Sequence, residues 1–438
     1  SLYDLPIAIG ILSATEQIST NYIEDSMFIG ELSLNGNLRS VKGVLPLVAR
    51  ARERGLKRVF LPKDNVAEGA VVDGIDIIGI GSLVELCEIL CSRMDYTPAE
   101  HILSDESSVA ESLYNEDFSD VKGQAYVKRA LEIAAAGGHN IIMIGSPGSG
   151  KTMLARRMPT IMPPMTLEEA LETTKIHSVA GKIGTHRGLI YERPFRAPHH
   201  LTSQVALIGG GQYPQPGEVS LANNGVLFLD EMPEFGRNVL EVLRQPLEDR
   251  HITISRAKYS VDYPANFTLI ASMNPCPCGY ANHPTRECSC SAAARHRYRA
   301  HISGPLMDRI DIQIEVVPVS VGEMANTKPE ESSAEIRKRV TAAREVQLHR
   351  FEGLDIHCNA MMNSAMLRKF APLDKECSEL LERAMTRLEL SSRAYDRIIK
   401  VARTIADLEG VENINKYHIA EAVSYRKLDR EKWVELYL

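Results

Sequence analysis

The residues best suited to chemistry are Gly145, Ser146, Pro147, Gly148, Ser149, Gly150, Lys151 and Thr152, which fit the spacing G-x-x-x-x-G-K-[ST]. Glycines at these positions let backbone N–H groups close around phosphate oxygens at a helix N-terminus. Lys151 is then placed to reach the β- and γ-phosphates of a nucleotide, and the Thr152 hydroxyl to ligate Mg2+. The flanks agree with this reading. Asn140 to Ile144 (NIIMI) reads as a buried strand and Thr152 to Met158 as a helix. A Gly-rich turn that binds nothing is the alternative, and the Lys-Thr pair between strand and helix argues against it.

A second apolar strand, Gly225 to Leu229, ends in Asp230 and Glu231, 79 and 80 residues after Lys151. Asp230 is suited to hold Mg2+ through water, and Glu231 to polarise an attacking water as general base. Alone, such an ending also suits a solvated loop. The distance from Lys151 permits a parallel α/β core with insertions. A third strand, Phe267 to Met273 (FTLIASM), ends in Asn274. Its side chain can meet the γ-phosphate or the attacking water, or simply form a turn before Pro275.

Cys276, Cys278, Cys288 and Cys290 crowd half of the chain's eight cysteines into fifteen residues. Four thiolates satisfy tetrahedral Zn2+, and a closed set of four makes the role structural. One-residue gaps are shorter than usual for zinc knuckles. His283 or His296 could replace one cysteine, and reduced, unliganded thiols are the alternative.

The 438 residues allow two to four domains, and 44% hydrophobic with 24% charged residues is the balance of a soluble globular chain. No apolar run reaches membrane-spanning length and no signal peptide opens the chain, so a reducing cytoplasm is the expected setting and a membrane partner is not. Net charge is −7, unevenly spread. Residues 1–120 carry 9 Lys+Arg against 20 Asp+Glu, 121–320 carry 21 against 17, and 321–438 carry 20 against 20. The middle segment is the basic one, compatible with a polyanionic partner and equally with ordinary scatter.

Residues 1–92 read as an α/β unit. Ile7–Ala14, Val44–Arg54 and Leu83–Leu90 have helical period, Arg58–Leu61 and Asp76–Ile80 are strands, and Met27–Leu38 is two strands about an Asn35-Gly36 turn. Residues 93–119 are acidic, without period, and read as a linker. A second α/β unit spans 120–320. Residues 321–438 are mostly helical, with Ala394, Ile398, Val401, Ile405 and Leu408 on one apolar stripe.

Together these pieces resemble the AAA+ ATPases, and more narrowly their magnesium-chelatase-like branch of the ComM/YifB type. The carrying segments are 120–140 (DVKGQAYVKRALEIAAAGGHN), 193–200 (RPFRAPHH), 207–235, 274–280 (NPCPCGY) and 303–311 (SGPLMDRID). The resemblance implies an α/β fold: an AAA+ P-loop core with a parallel sheet and helices on both faces, a C-terminal helical lid, and an N-terminal domain like that of Lon proteases. It implies ATP and Mg2+ as cofactors and a homo-hexameric ring with sites at subunit junctions. Gln124 and the lid's Arg393 then join the nucleotide site, and Arg309 acts as an arginine finger on the neighbour's nucleotide. Surface pairing of Arg309 with Asp308 or Asp311, and a solvated basic face of Arg393, Arg397 and Lys400, are the competing readings. RPFRAPHH is expected as an insert within helix 2 directed toward the ring pore, with Arg196, His199 and His200 as DNA-contact candidates. Residues 250–263 are expected as a hairpin with Arg256 and Lys258 near its tip, where cations can follow a phosphate backbone without reading bases.

In the N-terminal region the Lon resemblance runs through 28–41 (FIGELSLNGNLRSV) and 54–65 (RGLKRVFLPKDN). Protease chemistry there needs a Ser-Lys dyad. Leu5 and Leu45 fall at the two positions, so no peptidase activity is expected. The family's domain begins further upstream, so the chain is expected to lack its start. Three functions are open: an ATP-driven motor on single-stranded or branched DNA, for which the resemblance implies helicase or branch-migration activity on incoming DNA; a chelatase-type remodeller of a partner protein; or a non-enzymatic scaffold. Lys151, Asp230, Glu231 and Arg309 argue against the last.

Overall fold

The computed structural model describes residues 2–101, 114–183, 188–255, 260–281, 283, 285–319, 322 and 330–426. They form two compact units, 1–111 with 165–191, and 112–164 with 192–438.

In the first unit β1 (Ser26–Phe28), β4 (Arg58–Pro62) and β5 (Asp76–Ile80) make a parallel sheet with β4 in the middle. β2 (Glu31–Leu32) and β3 (Leu38–Arg39) pair as a hairpin about Asn35-Gly36, where Gly36 takes a positive φ of 83°. Leu5 on helix Asp4–Ala14 and Leu45 on helix Val44–Glu53 are both fully buried in apolar clusters.

Residues 165–191 join this unit, which their position between two core elements of the second unit does not suggest. Helix Leu167–Val179 starts at a capping box made by Thr166 and Glu169. Gly43 N–H donates to the Ser178 carbonyl at 3.1 Å, and Leu171 and Leu189 pack on the cluster around Leu45. The expected linker also divides. Ala99 N–H donates to Ile77 O at 2.8 Å in the first unit, and Asp117 accepts from Ser119 and Ser333 N–H in the second.

The second unit holds a five-stranded parallel sheet in the order β14-β6-β13-β10-β7: Ile312–Glu315, Ile141–Ile144, Thr268–Met273, Val226–Leu229 and Phe195–Arg196. The central strands are unbroken apolar runs because both faces are covered. Ile141, Met143, Val226 and Phe228 face helices Ala125–Gly137, Lys151–Ile161, Ser333–Arg350 and Ser392–Leu408. Ile142, Ile144, Leu227 and Leu229 face a second core with Val219, Leu240 and Leu306.

RPFRAPHH departs from expectation. It is not an insert within a helix. Phe195 and Arg196 form the edge strand β7 beside Val226 and Leu227, the Pro194 carbonyl accepts from Val226 N–H at 2.7 Å, and Phe195 stacks on Phe228 at 5.8 Å. Prolines suit an edge strand, since one side needs no ladder donors. The short hairpin β8 (Gly209–Gly210) and β9 (Gln215–Pro216) follows it. The hairpin expected over 250–263 is present as β11 (His251–Ser255) and β12 (Ser260–Pro264), paired antiparallel. Arg256 and Lys258 lie outside the described residues.

The C-terminal part is helical, with Ala394, Ile398, Val401 and Ile405 buried along helix Ser392–Leu408. This helix is tied to the sheet by a buried polar cluster. His139 bonds Asp311 at 3.2 Å and Thr404 Oγ1 at 2.8 Å, and Arg397 donates to Asp311 at 2.7 Å. Arg397 is thus not part of a solvated face. Burial drives His139 toward its neutral form. Burial opposes the Asp311 charge, yet Arg397 and His139 hold its carboxyl well below the usual carboxylate range.

Candidate active site

β6, β10 and β13 end side by side, and the loop after each supplies the site. The phosphate loop leaves β6 and turns through Gly148 and Gly150, whose φ of 78° and 90° suit residues without a Cβ, into helix Lys151–Ile161. Lys151 is 9% exposed, and its ammonium donates to Gly145 O at 2.6 Å, Ser146 O at 3.0 Å and Asn274 Oδ1 at 3.4 Å. Burial lowers its pKa, opposed by the charges of Asp230 and Glu231. Thr152 Oγ1 donates to Asp230 Oδ2 at 2.9 Å. Among the described residues, the buried hydroxyls of Ser146 and Ser149 and the Gln124 Oε1 have no hydrogen-bond partner. Gln124 Nε2 reaches Ser149 O at 2.9 Å and Val317 O at 3.3 Å, fixing that amide against the loop. Unpaired polar atoms around a Gly-rich loop, with a hydroxyl and a carboxylate adjoining, fit a nucleotide with Mg2+ held by Thr152 and Asp230.

Ser272 donates from its hydroxyl to Asp230 Oδ1 and accepts Glu231 N–H at 3.3 Å. It was not singled out in the sequence, although it lies two residues before Asn274 and so on the same strand face. Glu231 sits at a positive φ of 53°, uncommon for a non-glycine residue and a feature that clusters at functional sites. Its carboxylate stands 3.7 Å from His200 Nδ1, and the His199 and His200 rings lie 4.1 Å apart.

Other candidates are placed elsewhere. Arg196 donates through Nε and Nη2 to the two oxygens of Glu218 at 2.6 and 2.8 Å. Arg309 is 6% exposed and donates to Glu248 and, at 2.6 Å, to Pro305 O, rather than standing free at the surface or pairing with Asp308 or Asp311. Arg393 is exposed and donates to Asp308 at 3.1 Å. Among the described residues, neither arginine bonds the Lys151 cluster.

The sulfurs of Cys276, Cys278, Cys288 and Cys290 lie within 4.8 Å of one another. Cys276 is 3.3 Å from Cys278 and 3.6 Å from Cys288, and Cys278 is 3.6 Å from Cys288. A Zn–S bond of about 2.3 Å gives a tetrahedral edge of about 3.8 Å, so the set fits Zn2+ with little movement. Burial pushes the Cys276 thiol up; at Cys278 burial is outweighed by N–H donors from Tyr280 and Ser289 and by Cys276 and Cys290, which bring it down to about 6. His283 turns its Nδ1 to the N–H groups of Thr285 and Arg286, and neither it nor His296 joins the cluster.

Family models for magnesium chelatase subunit ChlI match residues 117–324, for its C-terminal part 330–426, and for a further ChlI segment 1–65. Competence protein ComM of Haemophilus influenzae is 42% identical over 431 residues, covering 98% of this chain and 83% of that protein. The chain belongs to the magnesium-chelatase-like AAA+ proteins of the ComM/YifB type. YifB of Escherichia coli is likewise 42% identical over 98% of the chain and 82% of its own length. The magnesium-chelatase 38 kDa subunit of Cereibacter sphaeroides is 24% identical over 177 residues, 36% of this chain and 52% of its own. Membership in this family implies use of ATP and Mg2+. No helix among the described residues is long and apolar enough to cross a membrane.

Proposed function

We propose that this protein is an ATP-driven motor on DNA, single-stranded or branched, that works as a ring of six copies in the cytoplasm during recombination of incoming DNA. The observation that carries the reading is the 3.7 Å approach of His200 to Glu231. It brings the segment leaving β7 beside the carboxylate assigned to polarise water, so that a shift of that segment would be felt at the base. The β11–β12 hairpin, with Arg256 and Lys258 between its strands in sequence, supplies a second segment for the phosphate backbone. Similarity to a protein named for competence supports DNA as the track.

In this reading Lys151 and the loop N–H groups bind the phosphates, and Glu231, held by Ser272 and Asp230, takes the proton of the attacking water. Thr152 and Asp230 would hold Mg2+, which would neutralise phosphate charge when bound. Asn274 orients the γ-phosphate through its contact with Lys151, Gln124 lines the nucleotide pocket, and Arg393 completes it from the lid. Arg309 leaves Glu248 to serve the neighbouring subunit's site. Cys276, Cys278, Cys288 and Cys290 would hold Zn2+, which would fasten the two Cys-x-Cys turns together.

The family models also support a second reading, a chelatase-type ATPase that remodels a partner for metal insertion. Phosphate release with and without DNA, and displacement of a labelled fork or four-way junction, separate the two. DNA-stimulated turnover with strand movement is expected. Turnover that ignores DNA, with no salt-dependent DNA binding, overturns the motor and leaves the chelatase-type reading.

A further inference from the structure

The cysteine knuckle and the phosphate loop touch. Asn274, whose Oδ1 lies 3.4 Å from the Lys151 ammonium, is two residues before Cys276, and Met273 O accepts Gly145 N–H at 3.1 Å. β13 therefore passes from the nucleotide site directly into the knuckle. Gly279 closes the first turn of the knuckle, donating its N–H to Cys276 O at 2.9 Å with φ at 84°. A Cβ on Gly279 would fall 2.6 and 2.8 Å from Cδ and Cγ of Pro147, inside the phosphate loop, and 4.0 Å from Asn274 Cγ. The knuckle backbone is seated on the loop with no room for one carbon atom.

The same turn is held by sulfur. Ala281 N–H donates to Cys276 Sγ at 3.3 Å and Cys278 N–H to Cys290 Sγ at 3.4 Å. Thiol and N–H···S contacts are weak. Four metal–thiolate bonds would fasten 276–278 to 288–290 and fix the Gly279 seat.

We propose that a thiophilic divalent cation on Cys276, Cys278, Cys288 and Cys290 is an allosteric ligand of the nucleotide site. Occupancy of the knuckle sets the conformation of the phosphate loop through Gly279–Pro147 and of Asn274 through the chain. By linkage nucleotide must tighten the cation by the same factor by which the cation tightens nucleotide. The proposal rests on the zinc and ATP readings above, and its test separates all three.

The full chain is purified with Zn2+, its metal content measured, and a fluorescent ADP analogue titrated into loaded, chelator-stripped and reloaded protein, with far-UV circular dichroism confirming the fold. Zinc transfer to a chromogenic chelator is timed with and without ADP. Expected are one zinc per chain, an affinity loss of about tenfold on stripping that reloading reverses, and slower zinc transfer with ADP. Gly279→Ala keeps all four thiolates; it should keep zinc and lose affinity to a similar degree. Zinc present, with affinities within about twofold in all forms including Gly279→Ala, overturns the coupling alone. No bound zinc overturns the metal reading and the coupling with it. No nucleotide binding in any form overturns the ATP reading. If stripping unfolds the chain, Gly279→Ala decides: zinc-loaded protein with unchanged affinity overturns the coupling.

Discussion

At the scale of single residues the site works by mutual restraint. Ser272 holds Asp230 and receives the Glu231 N–H, so one hydroxyl orients both acids at the end of β10. Glu231→Gln removes the base and leaves the loop intact; hydrolysis should fall by about 10²- to 10⁴-fold while a fluorescent nucleotide still binds. Phosphate release and a binding titration check this, and unchanged turnover would remove Glu231 from the role of base. Ser272→Ala keeps both carboxylates and loosens them. A turnover loss of about 10- to 100-fold, with nucleotide affinity kept within a few-fold, is the expected signature of misplacement. If the loss lies in affinity alone, Ser272 serves the loop and not the acids. Arg196 and Arg309 show what residue type leaves open at this scale, namely the partner of each cation. Each was legible as a cation in a significant segment, but Glu218 and Glu248, which claim them, lie 22 and 61 residues away in sequence.

At the scale of elements, the lid helix Ser392–Leu408 is bound to the sheet through His139, Asp311, Arg397 and Thr404. Asp311→Asn leaves the buried Arg397 guanidinium without its counter-charge and should cost about 3 to 5 kcal/mol, read by denaturant unfolding. Within this cluster, two groups with a depressed folded pKa contribute to the pH dependence on the acid side. His139 stays neutral when folded, so below about 6.5 the unfolded chain alone takes up a proton and stability falls. Asp311 adds a second loss as pH drops below about 4, where its unfolded carboxyl protonates and its folded one does not. On acidification from pH 7 the melting temperature should decline below 6.5 and fall further below 4, with the last step smaller in Asp311→Asn but not lost, because Asp25, Asp117, Glu330 and Asp374 also keep lowered folded pKa values. Helices and strands were mostly readable from period and boundaries, as with Asp76–Ile80 and Leu83–Leu90, which the structure reproduces. RPFRAPHH was not, because a two-residue edge strand leaves no period and is recognised only by its pairing with Val226 and Leu227.

At the scale of the whole molecule, the proposed ring makes each ATP site a shared one. Lys151→Ala spoils the site of its own subunit, and Arg309→Ala the site of its neighbour. Each variant alone should be inactive. Mixed in equal amounts before assembly, they should regain about a quarter of the wild-type rate, because half of the junctions keep the lysine and half of those keep the arginine. No recovery, in mixtures shown by mass to contain both variants, removes Arg309 from the neighbour's site. The excursion of residues 165–191 into the first unit belongs to this scale too, since it makes the chain cross between units three times. It places Ser178 beside Glu68 and Gly43, contacts that no local pattern announces.

The order of residues alone determined the phosphate loop, the acids after β10, Asn274, the cysteine set and the family. These are short-range patterns whose chemistry depends on residue type and spacing. Tertiary structure decided that His200 faces Glu231, that Arg196 and Arg309 are already paired, that Ser272 joins the two acids, and that Gly279 rests on Pro147. Each of these is a contact between elements distant in the chain, and it exists because packing two apolar faces of one sheet brings three strand ends and their loops within a few ångströms of one another.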